Sequence, residues 1–301
     1  MDFFIRNFNI SIIDNTDVDL LSNKGTQVLE ILSDTNMFKW NPTVIIADPF
    51  LFKSGNELFL FYERQEKWYG KGRICMRKTS DLIQWSEEVD VLVEPFHLSF
   101  PNVFEHNGKI YMLPETGADH SISLYEAEDD TLCRWKLKSK LMQEDIPWYD
   151  STIYCKEGKY YLFTSHDDNI QQTQHLFISD NLDGPYREHP CSPIFVGRDG
   201  GRNAGSIIEM GKEMYRPTQI CQDSYGEQVS MMKIEKLTPT EYEETLFVDN
   251  VINTNILPYM NGGHQFNIVN FKDRFIVATD FRSKNYNVIE LFRRVLKHLL
   301  Y

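Results

Sequence analysis

The sequence predicts an all-β fold: a five-bladed β-propeller of four-stranded antiparallel blades, with room for a short C-terminal helix. Three observations predict it. Hairpin-like segments recur five times, about 50 residues apart, which is the spacing of a propeller blade. Within each, apolar and polar residues alternate on both sides of a turn. Aromatic residues make up 13% of the 301-residue chain (20 Phe, 15 Tyr, 5 Trp), a composition that favours strands.

The elements follow in order. Residues 1–40 hold the strand-like run FFIRNFNISII and are expected to pair with the last blade, closing the ring and removing open sheet edges. Blades are expected over 45–95, 98–145, 147–198, 200–257 and 260–292, all within one propeller domain. Their hairpins read ADPFLFKSGNELFLFYE (47–63), FPNVFEHNGKIYMLPE (100–115), YDSTIYCKEGKYYLFTS (149–165), NAGSIIEMGKEMYRPTQ (203–219) and GHQFNIVNFKDRFIVATD (263–280). The matching first positions are Asp48, Pro101, Asp150, Ala204 and His264. The turns SGN, HNGK, KEGK, MGK and FKD supply the Gly, Asn and Asp chemistry of tight hairpins. Behind the first three hairpins lie KTSDLIQW (78–85), EAEDDTLCRW (126–135) and FISDNLDGPY (177–186); MMKIEKLTPTEY (231–242) is a looser fourth. The tail NVIELFRRVLKHLLY (287–301) sets Val288, Leu291, Phe292, Val295 and Leu299 at helical spacing beside Arg293, Arg294, Lys297 and His298. Residues 293–301 thus read as a basic amphipathic tail that lies on a membrane surface or packs on the propeller. Its first part also fits an outer strand of the last blade.

Composition narrows the function. Hydrophobic residues at 42% and charged residues at 25% describe a globular chain with a sizeable core. The net charge of -13 opposes a nucleic-acid partner, because phosphate backbones repel an acidic surface. No apolar run reaches the roughly 20 residues of a membrane span, and the N-terminus has no continuous apolar stretch of a secretory signal. Cys75, Cys133, Cys155, Cys191 and Cys221 are odd in number and lack CxxC spacing, as free thiols of a reducing compartment would. The expected location is cytoplasmic, with the inner membrane surface as a further contact.

The blade-opening ADP (47–49), the hairpins GNELFLFYE and GKIYMLPE, and the SDLxxW turn (Ser80, Asp81, Leu82, Trp85) resemble glycoside hydrolase family 43 and related five-bladed propeller enzymes. More specifically, FPNVFEHNGKIYMLPET, WYDSTIY and GRNAG followed by RPTQ resemble a propeller domain found at the N-terminus of plant glucosamine inositolphosphorylceramide transferases and in bacterial polysaccharide-locus proteins. The resemblance covers residues from about 40 to 285. It implies a carbohydrate-active site, with a catalytic carboxylate from the innermost strand of each of the first blades. Asp48 and Asp150 fit that pattern; the blade-two start, Pro101–Asn102, does not, and Glu115 closes the second strand instead. That departure weakens plain hydrolysis and leaves glycosyl transfer open.

Repeat-equivalent strand ends converge at the centre of a propeller. The first strands bring Asp48, Asp150 and His264; the ends of the second strands bring Glu63, Glu115, Ser165, Gln219 and Asp280. Buried carboxylates without partners cost several kcal/mol, so acidic residues at these ends point to function. Asp48, Glu115 and Asp150 are the candidate catalytic groups, since cleavage at an anomeric centre uses one carboxyl to give a proton and another to activate the nucleophile. Asp48 also fits an Asp-Pro turn former, and Glu115 also fits an ion pair with an arginine such as Arg216. Trp148 and Tyr149 offer faces on which a sugar ring stacks. Arg202, Asn203 and Arg216 flank the glycine-rich GRDGGRNAG (197–205), where arginines hold an anionic group or pair with Glu115 or Asp150. That segment lacks the ending of a phosphate loop. Glu63, Asn102, His264 and Asp280 complete the substrate-binding candidates.

No metal and no cofactor is expected. The histidines show no HxxxH spacing, and the acidic runs Glu128–Asp130 and His166–Asp168 read as solvated turns. The DxD of Asp17 and Asp19 lies outside the repeats. The expected partner is a saccharide, sugar-phosphate or nucleotide-sugar. The expected activity is glycosyl transfer in cytoplasmic polysaccharide or glycolipid assembly. The alternatives are hydrolysis of the family 43 type and non-catalytic glycan binding.

Overall fold

A computed structural model describes residues 4–15, 25–34, 36, 38–67, 70–168, 171–251 and 262–300. The chain is a five-bladed propeller, nearly all β, and its described residues hold one short α-helix and a single 3-10 turn at Gly117–Asp119. It opens with β1 (Phe4–Asn15) and β2 (Thr26–Ile31). Four blades follow in sequence order. The first holds β3 (Thr43–Ser54), β4 (Glu57–Glu66), β5 (Arg73–Thr79) and β6 (Val89–Leu92); the second holds β7 (Ser99–His106), β8 (Lys109–Glu115), β9 (Ser121–Ala127) and β10 (Trp135–Gln143). The third has β11 (Tyr149–Lys156), β12 (Lys159–Asp167), β13 (Gln172–Ser179) and β14 (Arg187–Glu188), with β15 (Phe195–Val196) also paired to β13. The fourth has β16 (Ile208–Met210), β17 (Glu213–Ile220), β18 (Gln228–Leu237) and β19 (Tyr242–Val248).

The fifth blade joins the two ends of the chain. Its inner strands are β20 (Phe266–Phe271) and β21 (Arg274–Tyr286), and β1 runs antiparallel beside β21 from Phe4 opposite Tyr286 to Asn15 opposite Phe275. β2 is the outer strand, so the stretch after Tyr286 is not needed there. It forms helix α1 (Val288–Leu300) instead.

Turn chemistry fixes the hairpins. Asn107–Gly108 and Glu157–Gly158 both take positive φ at the two turn positions (51° and 73°, 52° and 74°), the backbone whose twist matches the flanking strands. The blades then bury one another's faces. Ile10, Ile12, Ile276 and Ala278 of the fifth blade pack on Leu58, Leu60 and Tyr62 of the first. Phe59, Phe61 and Met76 of the first meet Met112, Tyr125 and Trp135 of the second. Burial of each large apolar side chain stabilises the fold by about 1.5–3 kcal/mol. Because the apolar layers lie between blades, the innermost strand ends are left to carry polar groups around a central opening.

Candidate active site in the central opening

A shared backbone device aims the inner strands. Ala47 pairs with Glu63, Ser99 with Glu115 and Tyr149 with Ser165, and immediately afterwards each pairing slips by one residue. The extra residue of each bulge takes a left-handed conformation: Asp48 (φ 52°), Phe100 (φ 45°) and Asp150 (φ 47°). The blade-two counterpart of Asp48 is therefore Phe100, not Pro101. Phe100 packs edge-to-face on Phe50 with ring centroids 4.8 Å apart, so blade two offers no carboxylate at this position. Positive φ in bulky residues costs of order 1–3 kcal/mol and is held here by the surrounding sheet.

Two ion clusters face the opening. In the first, His264 lies between two carboxylates, with Nδ1 2.5 Å from Asp280 Oδ2 and Nε2 3.4 Å from Asp48 Oδ1. Asp280 is fully buried and its Oδ1 accepts the main-chain N–H of His264 (2.7 Å) and Gln265 (3.1 Å). Its Oδ2 accepts the Asp48 N–H at 3.2 Å, while Asp48 Oδ2 accepts the Phe100 N–H at 3.0 Å. Burial alone would lower the His264 pKa, but Asp280 and Asp48 outweigh it and hold the ring up at about 9. Burial pushes Asp48 up to about 7, with His264 pulling the other way and Asp150 and Asp280 adding to the rise.

In the second cluster, Arg202 bridges two acids. Its Nε donates to Asp150 and its Nη2 reaches Glu115 Oε2 at 3.5 Å. Gln219 Nε2 also donates to Asp150 Oδ2, at 2.8 Å. Burial and the nearby Asp150 charge push Glu115 well above the usual carboxylate range, against the pull of Arg202. The guanidinium lies over the rings of Tyr149 (5.0 Å) and Tyr225 (5.4 Å), and Tyr225 in turn stands edge-on to His264 at 5.1 Å. Tyr225 thus touches both clusters.

The structure brings together Asp48, Glu63, Glu115, Asp150, Tyr149, Arg202, Asn203, His264 and Asp280. Asn203 Nδ2 donates to the main-chain oxygens of Asp150 (2.8 Å) and Phe163 (3.2 Å), leaving its Oδ1 buried without a partner. Three candidates do not join them. Arg216 is fully buried and grips Glu244 at 2.9 and 2.7 Å, with Gly200 O and Thr218 Oγ1 around it, so it braces blade four and is neither a ligand clamp nor a partner of Glu115. Trp148 packs edge-on to His175 and Phe177 between blades two and three, as core rather than a sugar platform. Asn102 is buried with its amide donated to Thr152 Oγ1 at 2.6 Å, tying two blades together. Sequence reasoning missed Tyr225 and His97, both from connecting loops outside the repeat pattern, and Gln219 as a hydrogen-bonding partner of Asp150.

One group of possible metal ligands coincides with the first cluster: Asp48, His264 and Asp280 each offer an atom within 4.8 Å of the others. A cation there would have to displace the His264 proton. A second group, Cys75, Glu88 and Asp90, is already engaged, Glu88 by Tyr62 and Arg64 and Asp90 by Arg73. The acidic pair Asp17 and Asp19 lies outside the described residues. No helix among the described residues is long and apolar enough to cross a membrane.

Known propellers share this architecture. Zg3597, a family 117 glycoside hydrolase from Zobellia galactanivorans, superposes with a TM-score of 0.56 at 13% identity over 95% of this chain and 92% of that one. The GH62 α-L-arabinofuranosidase catalytic domain of Coprinopsis cinerea gives 0.57 at 11% identity over 78% and 90%. These likenesses concern the fold. In sequence, the chain is 35% identical over 210 residues to glucosamine inositolphosphorylceramide transferase 1 of Oryza sativa subsp. japonica, and 34% identical to that of Arabidopsis thaliana. Each alignment covers 67% of this chain but only 28% and 27% of those proteins, so the chain spans less than a third of their length. Residues 28–264 match the family described as glucosamine inositolphosphorylceramide transferase 1, N-terminal, and the chain belongs to that family.

Proposed function

We propose that the central opening binds a saccharide and acts at a glycosidic bond, by glycosyl transfer in cytoplasmic polysaccharide or glycolipid assembly. The observation that carries the proposal is Arg202, which holds Asp150 and Glu115 on the same opening that Asp48 faces. In this reading Glu115, whose hold on its proton burial strengthens against the pull of Arg202, gives that proton to the departing oxygen, which retains the bonding electron pair. Asp48 takes the proton of the incoming hydroxyl, and the Asp150 carboxylate, positioned by Arg202, offsets the positive charge that develops at the anomeric carbon. Tyr149 and Tyr225 supply rings beside the acids for the apolar face of a sugar. The names of the related transferases and the hydrolase character of the fold neighbours support a carbohydrate substrate. The five unpaired cysteines favour a reducing setting. Peripheral membrane contact belongs to the same proposal, because Phe292 and Leu296 of α1 are exposed beside Arg293.

A second reading has its own support. The chain spans under a third of the related transferases, which suits a propeller that binds a glycan while chemistry occurs elsewhere. Turnover and binding measured on the same variants separate the two. The assay would offer nucleotide-sugar donors with glycolipid and phosphoinositol acceptors, and a no-acceptor control would report hydrolysis. For an enzyme, Asp48→Asn and Glu115→Gln each lower turnover by on the order of 10²–10⁴ while binding changes far less. Unchanged turnover in both carboxamide variants would end the catalytic assignment. Saccharide binding without any turnover in the unaltered protein would select the binding reading.

A further inference from the structure

Residues 201–205, the GRNAG of the sequence, reach Asp150 twice. Arg202 Nε donates to its carboxylate. The next side chain, Asn203, donates Nδ2 to the main-chain oxygen of Asp150 at 2.8 Å and to that of Phe163 at 3.2 Å. Gln219 of β17 completes the set, its Nε2 donating to Asp150 Oδ2 and to Asn203 O, both at 2.8 Å. These partners settle how the two amides point. Carbonyl oxygens only accept, so the NH2 end of each side chain must be the end that faces them. Asn203, Gln219 and Asp150 are all buried.

The backbone at Asp150 needs this support. Asp150 lies in the slip between Tyr149 opposite Ser165 and Thr152 opposite Phe163, at a φ of 47°. A bulge takes main-chain groups out of the ladder, and a left-handed residue persists only where its surroundings hold it. The Asn203 amide supplies a donor to two carbonyls at this point. Asp48, the matching bulge of blade one, is held through a charge instead, its N–H going to Asp280 Oδ2 at 3.2 Å. Glu63 has weaker support, with His97 Nε2 at 3.5 Å and no hydrogen bond at Oε1. Glycines admit the supporting segment. A Cβ on Gly201 would lie 2.3 Å from Gln172 O of β13, and one on Gly205 would lie 2.1 Å from Phe266 O of β20. Residues 201–205 therefore run pressed between blades three and five.

We infer that Asn203 and Gln219 are positioning residues for Asp150, Asn203 setting its main chain and Gln219 its carboxylate, so that blade four aims an acid that belongs to blade three. This gives the glycine-rich segment a role other than that of a phosphate loop. Arg202 and Gln219 hold the same oxygen, Oδ2, from two directions, and Gln219 is itself tied to Asn203 O. A carboxylate that offsets charge at an anomeric carbon acts best when it is aimed beforehand, because nothing then has to reorganise during the reaction. The inference rests on Asp150 belonging to the proposed site. Its structural consequence needs no ligand, so either can fail while the other stands.

The test compares the native protein with Gln219→Met and Asn203→Leu, which roughly keep side-chain volume and remove the donors. In ligand-free crystal structures, Gln219→Met should keep the bulge and turn the Asp150 carboxylate from its native direction. Asn203→Leu should let Asp150 leave the left-handed region. With nucleotide-sugar donors and glycolipid or phosphoinositol acceptors, each variant should lose kcat by on the order of 10–100-fold while KM stays within about threefold. A variant that merely loosened the fold would keep the native kcat per folded molecule. An Asp150 unchanged in conformation and direction in both variants overturns the inference, as does a native kcat in both. If the native protein shows no turnover, the catalytic reading falls and the crystal structures decide the positioning role. If Asn203→Leu fails to fold, Gln219→Met decides it, because a carboxylate that keeps its native place without the Gln219 amide removes that role.

Discussion

Replacing His264 with glutamine should make stability depend on pH in a way that packing alone cannot mimic. In the fold His264 titrates near 9 against an ordinary 6.5, because Asp280 and Asp48 together outweigh the cost of burial. A shift of about 2.5 units corresponds to roughly 3 kcal/mol at about 1.4 kcal/mol per unit. The folded pKa is the higher one, so this contribution is fully present below pH 6.5 and lost as pH rises through 9. The attraction between His264 and Asp48 is felt by both groups and counts once. His264→Gln also removes ring contacts with Phe8 (4.5 Å) and Tyr225 (5.1 Å), a loss that does not vary with pH. Urea unfolding of native and variant protein at pH 6 and pH 10 separates the two parts. The deficit of the variant should be larger at pH 6 than at pH 10, by at most about 3 kcal/mol, because Asp280 still holds the His264 charge at pH 6 while Asp48, titrating near 7, has largely taken up its proton. An equal deficit at both, or a larger one at pH 10, would refute a protonated His264 between two carboxylates.

Other predictions follow from the same geometry. Arg216→Met or Glu244→Leu alone should destabilise by about 3–5 kcal/mol, since each leaves a buried charge unpaired, while the double variant should recover much of the loss in urea unfolding. Gly72→Ala should cost about 1–3 kcal/mol in the same measurement, because its new methyl meets the Leu98 carbonyl, which cannot swing aside. Phe292→Asp should reduce co-sedimentation with vesicles rich in anionic lipid; equal sedimentation would remove α1 from membrane contact.

The fold was legible because each hairpin repeats its own turn chemistry and alternation, and FFIRNFNISII alternates well enough to be matched to the last blade. The bulge was not. One inserted residue shifts a whole inner strand, so alignment of apolar patterns paired Pro101 with Asp48 where the backbone pairs Phe100. The acids Asp48, Glu115 and Asp150 could be found from their places in the repeat, since a carboxylate at an inner strand end stands out against apolar neighbours. Their partners could not. Arg202 and Arg216 look alike in a linear reading, yet fourteen positions of chain carry one to the opening and the other into the grip of Glu244. His97 and Tyr225 sit in loops that no repeat constrains, and only the closed ring brings them to the acids.

The central claim is that a saccharide occupies the opening with its glycosidic bond between Glu115 and Asp48. A crystal structure of the Glu115→Gln variant soaked with a saccharide that binds the native protein tests it most directly. The account predicts a sugar ring against Tyr149 or Tyr225, its linking oxygen within hydrogen-bond reach of the residue 115 amide and its anomeric carbon facing Asp48. A saccharide seated on an outer blade face, with the opening filled only by solvent, would contradict it.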